Sequence, residues 1–495
     1  MTTVPQRSLS SRTARASLWT VGGKLSSKAL DFISLLILAR FLDPGDFGVV
    51  AMAMTSVQIV EALSELPLSS VLLNYQKPTD DMFNTAFTLA VMRCIGIWVL
   101  LSALSWPMSI LYHEPRLIGL QCALAFAPAM RVLGNQRLVE YARVFDFRRD
   151  VAIDGVAKMV SLIIATTLAI TTHSYWAIAV STISTATVST IISHILAPHR
   201  VRFTMSQWRI FADMIGWNAA GQVLSAINWQ TDKLVLPRFV DTVTFGRFTS
   251  ADSLISIPVQ AIVLPITRPL FSAFVAVRDN GGIGRVYLKA SVGIFSIVGP
   301  VLLMIAMLSE PVVQLILGPK WTATAPILTW LAFAALALLP SVVLPALAMA
   351  LNRTHISFIR LVAEFCVKVP IIVILATTLH LQGVLIGHAI SSVVVFWTCM
   401  VLVKSLTGLS VKEQLKGLSR PMISMIPTAL FLYAASRLFG GDDTILFTLL
   451  NLIWVCAGAI LLFAATDLLL WKLARCPDGC ERFGLKAVKS ALRLN

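Results

Sequence analysis

Charge is what this sequence has least of. Only 13% of its 495 residues are Asp, Glu, Lys or Arg, against about 25% in an ordinary soluble domain. That shortage excludes a water-soluble globule, which needs polar side chains to coat its surface. Acid is scarcer still, with 25 Asp and Glu against 40 Lys and Arg and a net charge of +15. The basic excess is scattered over short loops, which excludes a nucleic-acid-binding face. Cysteine is sparse too. Cys94, Cys122, Cys366, Cys399 and Cys456 fall in apolar runs, and Cys476 and Cys480 lack the two further ligands a zinc site needs. There is no Gly-x4-Gly-Lys-Ser/Thr loop, no His-Glu-x-x-His and no Cys-x-x-Cys, so ATP use, zinc peptidase chemistry and dithiol exchange have no sequence basis. No catalytic residue, cofactor or metal is expected. Nor is a cleavable signal peptide, because no compact apolar stretch precedes the first polar helix.

What is present is apolar: 57% of the residues, with a mean hydropathy of +0.80. The runs predict an all-α polytopic membrane protein of about fourteen transmembrane helices. They lie near 17–42, 47–71, 84–111, 117–139, 151–171, 175–197, 208–235, 243–270, 286–309, 323–351, 356–379, 382–404, 418–438 and 444–471. Each is close to the ~20 residues that cross ~30 Å of hydrocarbon. With the N-terminus cytoplasmic, inner segments hold 28 of the 40 Lys and Arg and outer segments seven. That bias predicts both termini in the cytoplasm, with the basic tail from residue 472 onward on the anionic inner leaflet.

The sequence also repeats itself. Leu38–Gly48, "LARFLDPGDFG", matches Leu236–Gly246, "LPRFVDTVTFG", at an offset of 198. Pro107–Arg116 matches Pro311–Lys320 as Pro-x3-Leu-x3-Pro-basic. Asp154-x3-Lys158 followed by "ATTL" matches Glu364-x3-Lys368 followed by "ATTL". Six helices separate the copies, so both run the same way, as a parallel repeat about an axis along the membrane normal. The expected organisation is a cytoplasmic segment 1–16, an N-lobe 17–197, a linker 198–207, a C-lobe 208–404, two appended helices 405–471 and the tail 472–495.

The first helix is too polar to face lipid. Thr20, Lys24, Ser27, Asp31 and Ser34 form one helical stripe, and adding 198 gives Asn218, Gln222, Ser225, Trp229 and Asp232. Charges at membrane depth face a watery cavity or pair with one another. Two equivalent stripes predict a hydrophilic cleft between the lobes, to which Asp252, Ser256 and Gln260 add a further polar line at i,i+4 spacing. A structural alternative stands beside this. Counting back from the turn at Asp43–Pro44, Lys28 is level with about Ile59 and Lys24 with about Leu63, which puts Glu61 and Glu65 within about one helical turn of them, so Lys28–Glu61 and Lys24–Glu65 are candidate ion pairs. Asp154–Lys158 and Glu364–Lys368 are candidate i,i+4 pairs. Arg93 and His388 read as packed or snorkelling residues without visible partners, and Arg93 and Arg268 are weaker candidates for the cavity. The repeated motif reads as a tight outer hairpin. Arg40 and Arg238 sit at helix C-termini that favour cations, Asp43 and Asp241 in the turns, and Gly48 and Gly246 where the returning helix packs closely. Its expected role is architectural, as an outer gate.

Three stretches resemble the Wzx-type oligosaccharide flippases. They are "LILARFLDPGDFGVVAMA" (Leu36–Ala53), "RVFDFRRDVAIDGVAKMVSLIIATTLAI" (Arg143–Ile170, continuing to "YWAIAV" at Tyr175) and "PVVQLILGPKWTATAPILTWLAF" (Pro311–Phe333). The resemblance implies the MATE-like fold of two lobes about a central cavity. It implies movement of undecaprenyl-diphosphate-linked sugar units across the bacterial inner membrane, within polymerase and glycosyltransferase machinery for exopolysaccharide, capsule or O-antigen synthesis. On that reading Lys24 and Lys28 hold the diphosphate. Asp252, Ser256 and Gln260 bond sugar hydroxyls, and Asp31, Glu61 and Glu65 leave the cavity nearly neutral. A MATE-type cation-coupled antiporter is the competing reading, and would show an acidic N-lobe cluster without lysines. A major facilitator transporter is a weaker one, because the 2–3 loop "NYQKPTDDMFN" lacks that family's Gly-rich basic motif.

Overall fold

The long apolar runs form helices, and no strand occurs among the described residues. The computed structural model describes residues 6–474 apart from 67, 76–77, 144–145, 199–201, 279–281, 438 and 440–444. Side chains are described from residue 22 onward, except at 70, 74, 142, 212–221, 223, 264 and 268. Thr20, Asn218, Arg268 and the tail with Cys476 and Cys480 therefore lie outside the described side chains.

The chain divides into two units, Met1–Thr249 and Ser250–Asn495. The first holds α1 (Gln6–Phe41), α2 (Pro44–Leu63), α3 (Leu68–Asn74), α4 (Asp80–Tyr112), α5 (Arg116–Leu124), α6 (Phe126–Val132), α7 (Leu138–Arg143), α8 (Arg148–Thr172), α9 (Trp176–Leu196) and α10 (Trp208–Val235). It also holds the first turns of α11 (Thr242–Val277). The second continues α11 and adds α12 (Ile283–Met307), α13 (Ser309–Ile316), α14 (Ala325–Leu338), α15 (Leu344–Ala350), α16 (His355–Thr407), α17 (Val411–Ser436) and α18 (Ile445–Leu473). Among the described residues, eight helical stretches are long and apolar enough to cross a membrane. The protein is a multi-pass membrane protein.

Packing follows the small residues. In the first unit α8 lies along α9 and α1, and Ala165, Ala169 and Ala177 are buried there with Leu38 and Leu42. Side chains this short let helix backbones approach, which is what drives association where lipid is as apolar as the protein. In the second unit α12 packs on α14 and α17, with Trp321, Tyr287 and Phe295 buried. Trp98, Trp106, Ile163, Trp454 and Leu461 are exposed, an apolar outer face that suits lipid.

Two boundaries differ from the sequence expectation, and a third falls where expected. The run 117–139 breaks after Leu124 into α5 and α6. Pro128 has no N–H to return to the Leu124 carbonyl, so the ladder lapses there. The run 47–71 ends at Leu63, with Ser64 in a non-helical cap, which leaves Glu65 beyond α2. The gap expected between 379 and 382 is a break inside one helical stretch, at His380 (φ 51, ψ −123). Gly383 makes this reversal possible, since a Cβ there would sit 2.0 Å from the Leu375 carbonyl oxygen.

Candidate functional site

The repeated motif builds a matched pair of hairpins. Asp43 caps α2 in a reciprocal box with Asp46, whose carboxylate accepts the Asp43 N–H at 3.2 Å. Asp241 caps α11 from one side, its Oδ2 accepting the Thr244 N–H at 3.4 Å. Burial raises the Asp241 carboxyl, but these bonds outweigh it and hold the group below its ordinary value. The two hairpins meet through their glycines. A Cβ on Gly48 would lie 1.9 Å from the Thr242 carbonyl oxygen, and one on Gly246 would lie 1.8 Å from the Pro44 carbonyl oxygen. Position 44 maps to 242 and 48 to 246 by the repeat offset, so the contact is its own pseudo-twofold mate. Backbone lies on backbone, and the Cα–H groups face carbonyl oxygens. Arg238 extends the junction, its Nη1 donating to His113 Nδ1 at 2.9 Å. Tyr112 donates to the Leu234 carbonyl at 3.0 Å. Arg40 is exposed near this junction.

From this junction α2 and α10 run antiparallel and in contact. Gln230 donates to Gln58 part-way along, and Gln222 Nε2 donates to Glu65 Oε2 at 3.0 Å at the far end. The seam is thus tied by backbone at one end and by side-chain amides further in. Sequence reasoning missed Gln58 and Gln230. Their signal is one amide in each of two helices, Gln58 in an apolar run and Gln230 in a polar one, and such amides are costly to bury unless paired.

A second cluster joins α1 to α8. Lys158 Nζ lies 2.7 Å from Asp31 Oδ1 and donates to the Ser27 carbonyl at 3.3 Å. Lys28 Nζ stands 3.8 Å from Asp31 Oδ2, and Lys24 is exposed one turn earlier. Two lysines therefore share one carboxylate, and Lys24 adds a third positive charge one turn away on α1. Lys158 reaches across to α1 rather than along its own helix, and Asp154 is exposed.

The pairing expected for Glu61 and Glu65 is corrected. Arg131 of α6 binds Glu61 Oε1 at 2.7 Å, and Arg93 donates to the Glu61 carbonyl at 3.3 Å. Lys28 turns to Asp31 instead. Arg93 is thus partnered, contrary to expectation. Glu65 takes Gln222 and not Lys24. In the second unit Arg360 donates to Glu364 at 3.0 Å, and Lys368 is buried. Asp252, Ser256 and Gln260 line one face of α11, where Ser256 donates to the Ser253 carbonyl at 3.0 Å. Among the described residues no group of three metal-ligating side chains gathers.

This arrangement is that of a MATE-like multi-pass transporter fold. The lipid II flippase MurJ in its inward closed conformation matches with a TM-score of 0.69 at 14% identity, over 92% of this chain and 99% of that one. The Vibrio cholerae MATE transporter VcmN matches with a TM-score of 0.53 at 14% identity, over 82% and 98%. Within that fold, the chain belongs to the polysaccharide biosynthesis protein family, whose profile matches residues 37–326. The succinoglycan biosynthesis transport protein ExoT of Rhizobium meliloti is 24% identical over 442 residues, 85% of this chain and 86% of that protein. The lipopolysaccharide biosynthesis protein WzxC of Escherichia coli is 23% identical over 447 residues, 88% and 90%.

Proposed function

We propose that this protein flips lipid-diphosphate-linked oligosaccharide units across the bacterial inner membrane for polysaccharide synthesis, with both termini cytoplasmic. The observation that carries the reading is that Lys28 and Lys158 share the single carboxylate of Asp31, with Lys24 exposed one turn before Lys28, in a chain of this family and fold. A diphosphate needs cations, and a cation held at membrane depth is costly unless it has such work or a partner. The apolar tail stays in lipid while the polar head crosses along the stripes of α1 and α10. Sequence repeats 17–197 and 208–404 act as the two moving lobes in this proposal, and polymerase and glycosyltransferases act on either side of the step. The competing antiporter needs an acidic cluster free of lysine, and Asp31 is bound by Lys158 at 2.7 Å. Complementation tests the reading: the gene should restore polymer export to cells lacking their own flippase, and the purified protein should flip diphosphate-linked saccharide in liposomes. Export of drugs with no glycolipid flipping would overturn it.

The hairpin junction acts as the outer gate. A Cβ on Gly45 would lie 3.4 Å from Val243 Cγ2, close enough for a disulfide after modest adjustment. Gly45→Cys with Val243→Cys should block export when oxidised and recover it on reduction. Undiminished export by the oxidised protein would show that the junction does not open.

A further inference from the structure

Trp229 is 71% exposed, although its neighbours Asn228, Gln230, Thr231 and Asp232 are buried. Exposure of an indole in a membrane protein has an ordinary explanation, contact with lipid, and Trp454 illustrates it. Trp454 is 75% exposed, and its helix neighbours Phe447, Leu450 and Leu461 are apolar and exposed with it. Trp229 differs in its surroundings. One and two turns away on the same face stand Ser225 and Gln222, and one turn on the other side Lys233, with the buried Asp232 beside it. Gln222 is bonded to Glu65, just beyond the end of α2, so this face borders a carboxylate from a second segment. A lipid-facing strip does not carry an amide, a hydroxyl and an ammonium in line.

An exposed indole amid hydrogen-bonding groups suits one common ligand chemistry. A hexopyranose has polar edges and, where several C–H bonds are axial on one side, an apolar face. That face stacks on an electron-rich aromatic ring, while neighbouring polar groups take the hydroxyls. We propose that Trp229 is the stacking platform for a hexopyranose of the transported saccharide, with Glu65 and Gln222 reading hydroxyls of the adjoining sugar. Gln222 engages Glu65 Oε2, and the carboxylate has a second oxygen to accept a hydroxyl. Seven residues of helix separate Gln222 from Trp229, roughly 10 Å, the span of two linked pyranose rings. The site therefore reads a disaccharide by shape and axial C–H content. This inference rests on the function proposed above.

The test uses the full-length protein purified in detergent. The probes are diphosphate-linked saccharide lipids extracted from the host and the same extract after mild-acid removal of its sugars. The parent protein should bind the intact extract more tightly than the hydrolysed one. Trp229→Ala should erase that preference, with about a tenfold loss toward the intact extract, ~1.4 kcal/mol, and no change toward the hydrolysed lipid. Trp229→Phe should keep most of it. A parent protein that shows no preference for the intact extract would overturn the flipping function itself. Parental preference retained by Trp229→Ala would overturn the platform alone. Equal loss toward both extracts, or a drop in thermal stability restored by Trp229→Leu, would assign the indole to packing or to the membrane interface and overturn it as well.

Discussion

Alanine at Gly48 or Gly246 is expected to abolish most export and to lower thermal stability, each by a comparable amount. The reason is a backbone contact. The new methyl carbon would stand 1.9 Å from the Thr242 carbonyl oxygen in one case and 1.8 Å from that of Pro44 in the other. A carbon tolerates such an oxygen at about 3.3 Å, so the hairpins must part by more than 1 Å. No side-chain rotation relieves this, because both oxygens belong to the first turn of a helix. Overpacking a tight contact costs on the order of 3 kcal/mol, and the better helix propensity of alanine returns at most ~1 kcal/mol. Gly96, with no atom within 4 Å of its added Cβ, is the control: Gly96→Ala should leave stability unchanged or slightly raised. The repeat adds a sharper expectation. Both glycines serve one pseudo-symmetric contact, so once the first methyl has opened it the second enters free space. The double variant should therefore cost less than the sum of the two, by ~1 kcal/mol or more. Melting temperatures of the four proteins measure this. Additive small effects would mean the helix starts do not touch.

That contact was legible in the sequence as a repeat, and its location was not. The motif gave two glycines at equivalent places in two hairpins, and the parallel sense followed from the helix count. What no single chain shows is that the two copies meet each other. The reversal at His380 was legible for a plainer reason, since two apolar runs of spanning length leave little else between them. The break after Leu124 was missed because the apolar pattern continues through it, and only the absent N–H of Pro128 marks the place. The ion pairs failed in an instructive way. Counting from the Asp43 turn fixes how deep Lys28 and Glu61 lie, but not which flank each side chain takes. In the fold α1 lies along α8 while α2 lies along α10 and α5. Lys28 and Asp31 therefore meet Lys158, and Glu61 meets Arg131. Depth is a one-dimensional property that hydropathy carries. Azimuth depends on neighbours that packing chooses.

Reversing the charge at Lys158 is expected to reduce the amount of protein in the membrane several-fold, whereas removing Lys24 and Lys28 is expected to spare the protein and cripple flipping. Lys158 ties α8 to α1 by a 2.7 Å contact with Asp31 and a bond to the Ser27 carbonyl, and its side chain is only 18% exposed. A bond from a charged donor is worth about 1.5–3 kcal/mol. Lys158→Glu loses it and sets two carboxylates face to face in a low dielectric. The exchange Lys158→Glu with Asp31→Lys rebuilds the pair with opposite polarity and should restore most of the abundance. A residual loss of a few tenths of a kcal/mol is expected, because Lys28 then faces a like charge at i,i+3. Lys28 itself stands 3.8 Å from Asp31 with a side chain 35% exposed, a weak tie, and Lys24 is exposed. Their combined replacement by alanine removes the excess positive charge without breaking the α1–α8 link. Membrane abundance should then match the parent while liposome flipping of diphosphate-linked saccharide falls at least tenfold. Flipping at the parental rate by that double variant would remove the diphosphate role from both lysines. If the exchange stays as scarce as Lys158→Glu while Asp31→Ala accumulates normally, the pair does not hold α1 in place, and the cluster's charge serves the substrate alone.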